Sequence, residues 1–129
     1  MKYTSVTENH LFKKAYTRGK KFCGRYVALY VLSDYAAEKI KNARPDKKYV
    51  NRIGISTSKK IGGAVVRSRV RRIIREGYRQ AERDLRLRTG KLVIIAARSA
   101  AANAKSTDIA EELERALAFT DMVKKDKNV

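Results

Sequence analysis

The run from Lys59 to Arg79, KKIGGAVVRSRVRRIIREGYR, constrains this chain more than any other feature. At about 100° per residue, Val66, Val70, Ile73, Gly77, Tyr78 and Ala81 fall on one side of a helix. Arg69, Arg71, Arg72, Arg75, Arg79 and Arg83 fall on the other side with Ser68, and Arg67 sits at the boundary. The apolar face needs a core to pack against. The arginine face cannot be buried in one, because closely spaced guanidinium groups repel each other and keep their charge near neutral pH. Such groups pair bidentately with phosphate. The chain must therefore build a folded domain on one side of this helix and leave the other side to a polyanion.

Charge over the whole chain agrees. There are 31 Lys and Arg against 13 Asp and Glu, a net charge of +18 over 129 residues. That excess speaks to partners, and nucleic acid is the default polyanion. An anionic membrane surface is the main competitor, but the apolar face of the basic helix carries Val, Ile and Ala, not a Trp, Phe and Leu wedge. No apolar run is long enough to span a bilayer, and MKYTSVTENH lacks the layout of a signal peptide. A hydrophobic fraction of 43% supports a modest single-domain core and argues against a disordered basic tail. Cys23 is alone, so no internal disulfide can form, and a reduced cytoplasmic compartment is the simplest expectation.

Periodicity places the other elements. Leu11, Phe12, Ala15 and Tyr16 predict a helix over 8–17, stopped by Gly19. Tyr26 to Ser33, YVALYVLS, reads as a strand with Tyr26, Ala28, Tyr30 and Leu32 on one face. The stretch 34–49 holds the only proline, Pro45, and reads as an extended connection. Val50 to Thr57 is the next strand, and the basic helix follows from about Ala64 to Arg86. Lys91 to Ala97, KLVIIAA, is a continuous apolar run after its opening lysine and predicts a central strand. A last helix is expected over 107–123, with Asp108, Glu111 and Glu112 favouring its start and Lys124 and Lys125 beyond its end. The order is α-β-β-α-β-α, with a further strand possible near 20–25.

No protein-based catalytic centre is visible. His10 is the single histidine, with no acid–base partner to be named, and Cys23 reads as a structural thiol. Lys59, Lys60 and the Gly62-Gly63 pair form a turn into a helix N-terminus, where backbone N–H groups can meet a phosphodiester. No Gly-Lys-Ser/Thr follows, so this is not an ATP-binding loop. Phe12 and Tyr16 lie one helical turn apart, and Tyr26 and Tyr30 lie on one strand face. These rings can serve either as core or as a stacking platform for unpaired bases.

The segment Arg52-Ile53-Gly54-Ile55-Ser56-Thr57-Ser58-Lys59-Lys60-Ile61-Gly62 leads into Ala64-Val65-Val66-Arg67, then Arg69, Arg71-Arg72, Arg75-Glu76 and Arg79. This pattern resembles the bacterial ribonuclease P protein component, and the resemblance runs from about Leu11 to Phe119. The family's Arg-Asn-Arg triplet appears here as Arg67-Ser68-Arg69. Serine keeps a hydrogen-bonding group and loses the amide's paired donor and acceptor.

The resemblance implies an α/β (α+β) sandwich: a four-stranded sheet packed with helices, with a left-handed βαβ crossover through the basic helix. It implies a subunit of the endoribonuclease ribonuclease P, whose RNA performs the hydrolysis with Mg²⁺ held mainly by that RNA, the protein alone being inactive. Precursor tRNA and the catalytic RNA are the implied partners, with no small-molecule substrate. Phe12, Tyr16, Tyr30, Arg67 and Ser68 would line a cleft for the single-stranded 5′ leader. Lys59, Lys60, Arg69, Arg71, Arg72, Arg75 and Arg79 would face the catalytic RNA. The alternative is a non-enzymatic ribosomal or other nucleic-acid-binding protein, which would use the same arginine stripe without needing an aromatic cleft beside it.

Overall fold

The computed structural model describes residues 3–5, 9–33, 51–88 and 90–123. The expected connection at 34–49 and the Lys124-Lys125 pair lie outside them. Along the chain come β1 (Tyr3–Ser5), α1 (Asn9–Arg18), β2 (Lys20–Cys23), β3 (Val27–Ser33), β4 (Asn51–Ser56), α2 (Ala64–Asp84), β5 (Lys91–Ala97) and α3 (Ser106–Phe119). Two 3-10 turns, Lys59–Ile61 and Ser99–Asn103, precede α2 and α3.

The strands form one sheet in the order β1-β4-β5-β3-β2. β4 and β5 are parallel neighbours joined through α2, while β3 runs antiparallel to both β5 and β2. The four strands expected from the sequence are all present. β1 adds a short edge parallel to β4. Three residues are too few to show an alternation, so nothing in the sequence marked it.

β5 is apolar from Leu92 on because it is central and covered on both faces. Val93 and Ile95 join Ile74 of α2 and Leu113 of α3 in the larger core cluster. Leu92 and Ile94 turn the other way and pack with Ala15 of α1, against Leu11, Phe12, Tyr30 and Leu32. Thus α2 and α3 cover one face of the sheet, and α1 lies on the other. Each fully buried Ile or Leu contributes about 1.5–3 kcal/mol to this packing. The two larger helices meet closely at Gly77. A Cβ there would come within 2.8 Å of Ile109 Cγ2 and 3.0 Å of the Ala110 nitrogen.

The helix ends depart from the sequence expectations. α3 was expected to reach residue 123 and stops at Phe119. The Met122 N–H donates to the Leu117 carbonyl at 2.9 Å and the Asp121 N–H to Ala118 at 3.3 Å, with Asp121 at φ 60. This is a Schellman closure with aspartate in the left-handed position, so no glycine announced it. α2 ends at Asp84, because Leu85 is already extended (φ −119, ψ 151).

Glu112 also departs from expectation. Its place near the start of α3 suggested only a partner for the helix dipole. It is 2% exposed, and its carboxylate accepts the backbone N–H groups of Arg25, Tyr26 and Val27 at 2.6, 2.8 and 2.8 Å. It closes the β2–β3 hairpin from the far side of the core. Three charge-assisted bonds offset the desolvation of the carboxylate.

Candidate nucleic-acid interface

Strand register decides what lies beside α1. Lys21 pairs with Tyr30, Tyr30 with Ile94, and Ile94 with Gly54, so one row crosses the sheet on the α1 face. The next row is Cys23, Ala28, Ala96 and Ser56, all small. A trough with a low floor therefore runs next to a row that carries a ring.

Phe12 and Tyr16 project from α1 over this surface. The Phe12 and Tyr16 centroids are 6.5 Å apart, and Tyr16 stands edge-on to Tyr30 at 4.8 Å with an interplanar angle of 74°. Phe12 and Tyr30 are half-buried, and Tyr16 is 41% exposed. The helix turn and strand thus bring Phe12, Tyr16 and Tyr30 into one cluster; Tyr26, expected on the same strand face as Tyr30, lies just before β3 and packs against the larger core cluster instead, with the Arg25 guanidinium 5.5 Å from its ring. Two participants were not foreseen. Lys21 Nζ lies 5.6 Å from the centroid of the Tyr30 ring, a cation–π arrangement. Gly54 sits beneath Phe12: a Cβ there would lie 2.8 Å from Phe12 Cζ and 2.7 Å from Ile94 Cδ1. Lys21 is legible only once the hairpin register is known, and Gly54 only once α1 is placed on the sheet.

The basic helix begins just past the end of β4. Its N-cap, Gly63, supplies no side-chain cap, and a Cβ built there meets nothing within 4 Å. The first-turn N–H groups therefore open onto accessible space beside Lys59 and Lys60, which are exposed. Gly62 has φ +152, and any Cβ there would press on Val66 at 3.0 Å. The turn thus needs glycine at this position.

The arginines divide into two groups. Ser68, Arg72, Arg75 and Arg79 are exposed along one helix face. Arg69 and Arg71 are half-buried and partly committed to the fold. Arg69 donates from Nη1 to Ala102 O at 3.0 Å and from Nη2 to Ala104 O at 2.9 Å, fixing the 3-10 turn before α3. Arg71 Nη1 donates to Thr57 Oγ1 at 2.8 Å, tying α2 back to the end of β4. Arg67 is half-buried, and its Nε is shielded from solvent without a hydrogen-bond partner.

Among the described residues, no three His, Cys, Asp or Glu side chains gather to hold a metal ion. No helix among them is long and apolar enough to cross a membrane. The carboxyl of Glu114 on α3 titrates above its ordinary range. Lost solvation raises its pKa first, followed by the charge of Asp84, a hydrogen bond with Asp84 and the charge of Glu111.

A family model for ribonuclease P matches residues 1–120. The chain belongs to the ribonuclease P protein family. It is 38% identical to the ribonuclease P protein component of Clostridium acetobutylicum over 114 residues, covering 88% of this chain and 86% of that one. The ribonuclease P protein component of Caldanaerobacter subterraneus subsp. tengcongensis is 33% identical over 121 residues, covering 94% and 92%. The solved Staphylococcus aureus RNase P protein superposes with a TM-score of 0.69 at 25% identity, covering 93% of this chain and 97% of that one. As a ribonuclease P protein, the chain is a subunit of an endoribonuclease of tRNA 5′ processing and acts with an RNA subunit.

Proposed function

We propose that this subunit holds the single-stranded 5′ leader of precursor tRNA across the ring cluster while α2 and its preceding turn grip the catalytic RNA. The observation that carries the reading is the Phe12–Tyr16–Tyr30 cluster, with Tyr16 left 41% exposed beside the small-residue trough. A ring committed only to the core would not be left so open. Stacking on aromatic faces tolerates any base, which suits a leader whose sequence varies between tRNAs. Lys21 and Arg67 supply positive charge around the rings for leader phosphates, and Ser68 offers a hydroxyl at the same helix end.

Lys59, Lys60, Arg72, Arg75 and Arg79 are free to meet RNA phosphates. Arg69 and Arg71 reach RNA with the N–H groups left over from their contacts to Ala102, Ala104 and Thr57. The RNA subunit supplies the hydrolytic chemistry, with Mg²⁺ held mainly by that RNA. The protein contributes position and charge: it holds the leader in one place and lowers the repulsion between the two RNAs. In this reading it works in the cytoplasm and is inactive alone.

The test is reconstitution with a catalytic RNA. The expected result is leader removal by the pair and none by the RNA-free protein. Tight RNA binding with no effect on leader removal or precursor affinity would instead indicate a plain nucleic-acid-binding protein.

A further inference from the structure

Three large apolar side chains are exposed among the described residues: Tyr16, Val65 and Phe119, the last two at 84% and 70%. Tyr16 belongs to the ring cluster, and Val65 lies in the first turn of α2, just after the Lys59–Ile61 turn. Both sit where RNA is already expected. Phe119 does not. It ends α3, and its ring meets that of Phe22 in β2 with 5.5 Å between centroids and 58° between planes. Phe22 pairs with Leu29 and packs against the larger core cluster, so this ring pair lies on the face of the sheet turned away from α1. The leader cleft does not account for it.

The surroundings of the ring pair are basic. Lys20 shares the strand and the face of Phe22, about 7 Å along β2, since it pairs with Val31 of the same core. It lines a groove of about 290 Å³ with Arg18, Arg88, Lys91, Thr120 and Asp121. Thr120 and Asp121 directly follow Phe119 in the chain, so groove and rings are neighbours. Asp121 is the single carboxylate on the groove wall, 3.9 Å from Arg88, and both side chains are exposed. Arg18, Lys20 and Lys91 have no opposite charge on that wall. An open ring with unmatched cations beside it suits a nucleotide, its base on the ring and its phosphate among the cations. An apolar peptide would leave the cations unmatched. A second copy of this chain, at +18, would add more charge of the same sign.

The groove also continues the exposed arginines of α2. Arg72, Arg75 and Arg79 are followed by Arg83 and Arg86, all exposed, and then by Arg88 on the groove wall. We propose that an unpaired nucleotide of the catalytic RNA docks here, its base stacked on Phe119 and its phosphate among Lys20, Arg88 and Lys91, which rests on the reading that α2 grips that RNA. The leader lies on the other face of the sheet. This second site therefore adds affinity for the catalytic RNA and does not distinguish precursor from mature tRNA.

The experiment titrates the full-length protein with the catalytic RNA over a salt series, then adds tRNA to the assembled holoenzyme. The chain has no tryptophan, so Phe119→Trp places a single indole at the site. Its emission should be quenched by the catalytic RNA and should not change further with precursor tRNA. Phe119→Trp should keep the wild-type affinity. Phe119→Ala should weaken binding to the catalytic RNA about fivefold or more, with an unchanged salt slope. Lys20→Gln with Lys91→Gln should lower that slope by about 0.7 per cation removed. Phe119 and Lys20 are exposed, and melting checks the fold of every variant. The ratio of precursor to mature tRNA affinity should stay at its wild-type value throughout.

An indole that the catalytic RNA leaves unquenched overturns the proposal, and so does wild-type RNA affinity in Phe119→Ala. Wild-type affinity in Phe119→Leu would also overturn it, because the contact would then be apolar without a stacked base. A response to precursor tRNA alone would assign the rings to the leader. A dimer of the RNA-free protein that Phe119→Ala abolishes would assign them to a second copy. Either outcome sinks the idea. Arg72→Ala with Arg75→Ala separates this proposal from the reading beneath it. If that pair weakens binding while the ring and groove variants do nothing, the grip of α2 stands and the second site alone fails.

Discussion

Phe12 rests on Gly54 with no room for another carbon between them: a Cβ on Gly54 would lie 2.8 Å from Phe12 Cζ. The absence of a side chain in the middle of β4 lets α1 approach the sheet and sets the height of the ring cluster. Gly54→Ala should therefore push on both Phe12 and Ile94. Overpacking of this kind costs about 1–3 kcal/mol. Urea denaturation should show that loss, and the folded fraction should also bind precursor tRNA less well.

Glu112 should be among the costliest surface-distant residues to change. Glu112→Gln replaces one carboxylate oxygen with an amide that cannot accept from the hairpin N–H groups of Arg25, Tyr26 and Val27. A loss of about 2–4 kcal/mol in chemical denaturation is expected, since hydrogen bonds to charged groups are strong and the orphaned donors stay buried. Faster hydrogen exchange at the Val27 amide would locate the damage in the hairpin.

The two groups of arginines should separate experimentally. Alanine at Arg72, Arg75 or Arg79 should leave the melting temperature nearly unchanged. Each should lower the slope of log K against log salt for the catalytic RNA by about 0.7–0.9. Arg69→Ala should instead cost about 1–3 kcal/mol of stability, because the Ala102 and Ala104 carbonyls lose their donors. Parallel melting and salt-series titrations distinguish these outcomes.

The carboxyl of Glu114 should leave a small mark on stability. Its pKa is raised above the ordinary 4.5 in the folded protein by burial, Asp84 and Glu111. An acid that holds its proton more tightly when folded stabilises the fold at low pH, and this contribution is lost as pH rises through the raised value. Glu114→Gln should remove that dependence and stabilise the protein near neutral pH by up to about 0.5 kcal/mol, the modest size reflecting solvent screening. Denaturation of the two proteins across pH 4 to 8 checks the sign.

Much of this was legible in the sequence, for identifiable reasons. The apolar stripe of α2 follows the helical period, and Val70, Ile73, Gly77, Tyr78 and Ala81 are buried as that period requires. Ile74 is buried too, outside the stripe as read, because α2 is covered by both the sheet and α3 and its buried arc is wider. The rings of Phe12, Tyr16 and Tyr30 could be paired by face, and they meet. The commitments of Arg69 and Arg71 could not be read, since their acceptors are carbonyls and a hydroxyl brought near only by the fold. Glu112 was hidden for the same reason: its three partners are more than 80 residues away in the chain.

Stacking of leader bases on the ring cluster is the central claim, and the ratio of precursor to mature tRNA affinity in the assembled holoenzyme tests it most directly. Tyr16→Ala is the best variant, because Tyr16 is exposed and contributes least to the core. Tyr30→Ala and Phe12→Ala follow, each with its folding checked by melting. At fixed salt, Tyr16→Ala should cost about 1–3 kcal/mol against precursor tRNA and almost nothing against mature tRNA, so the ratio falls. A folded Tyr16→Ala or Tyr30→Ala holoenzyme with an unchanged ratio would contradict the account and leave these rings as packing alone.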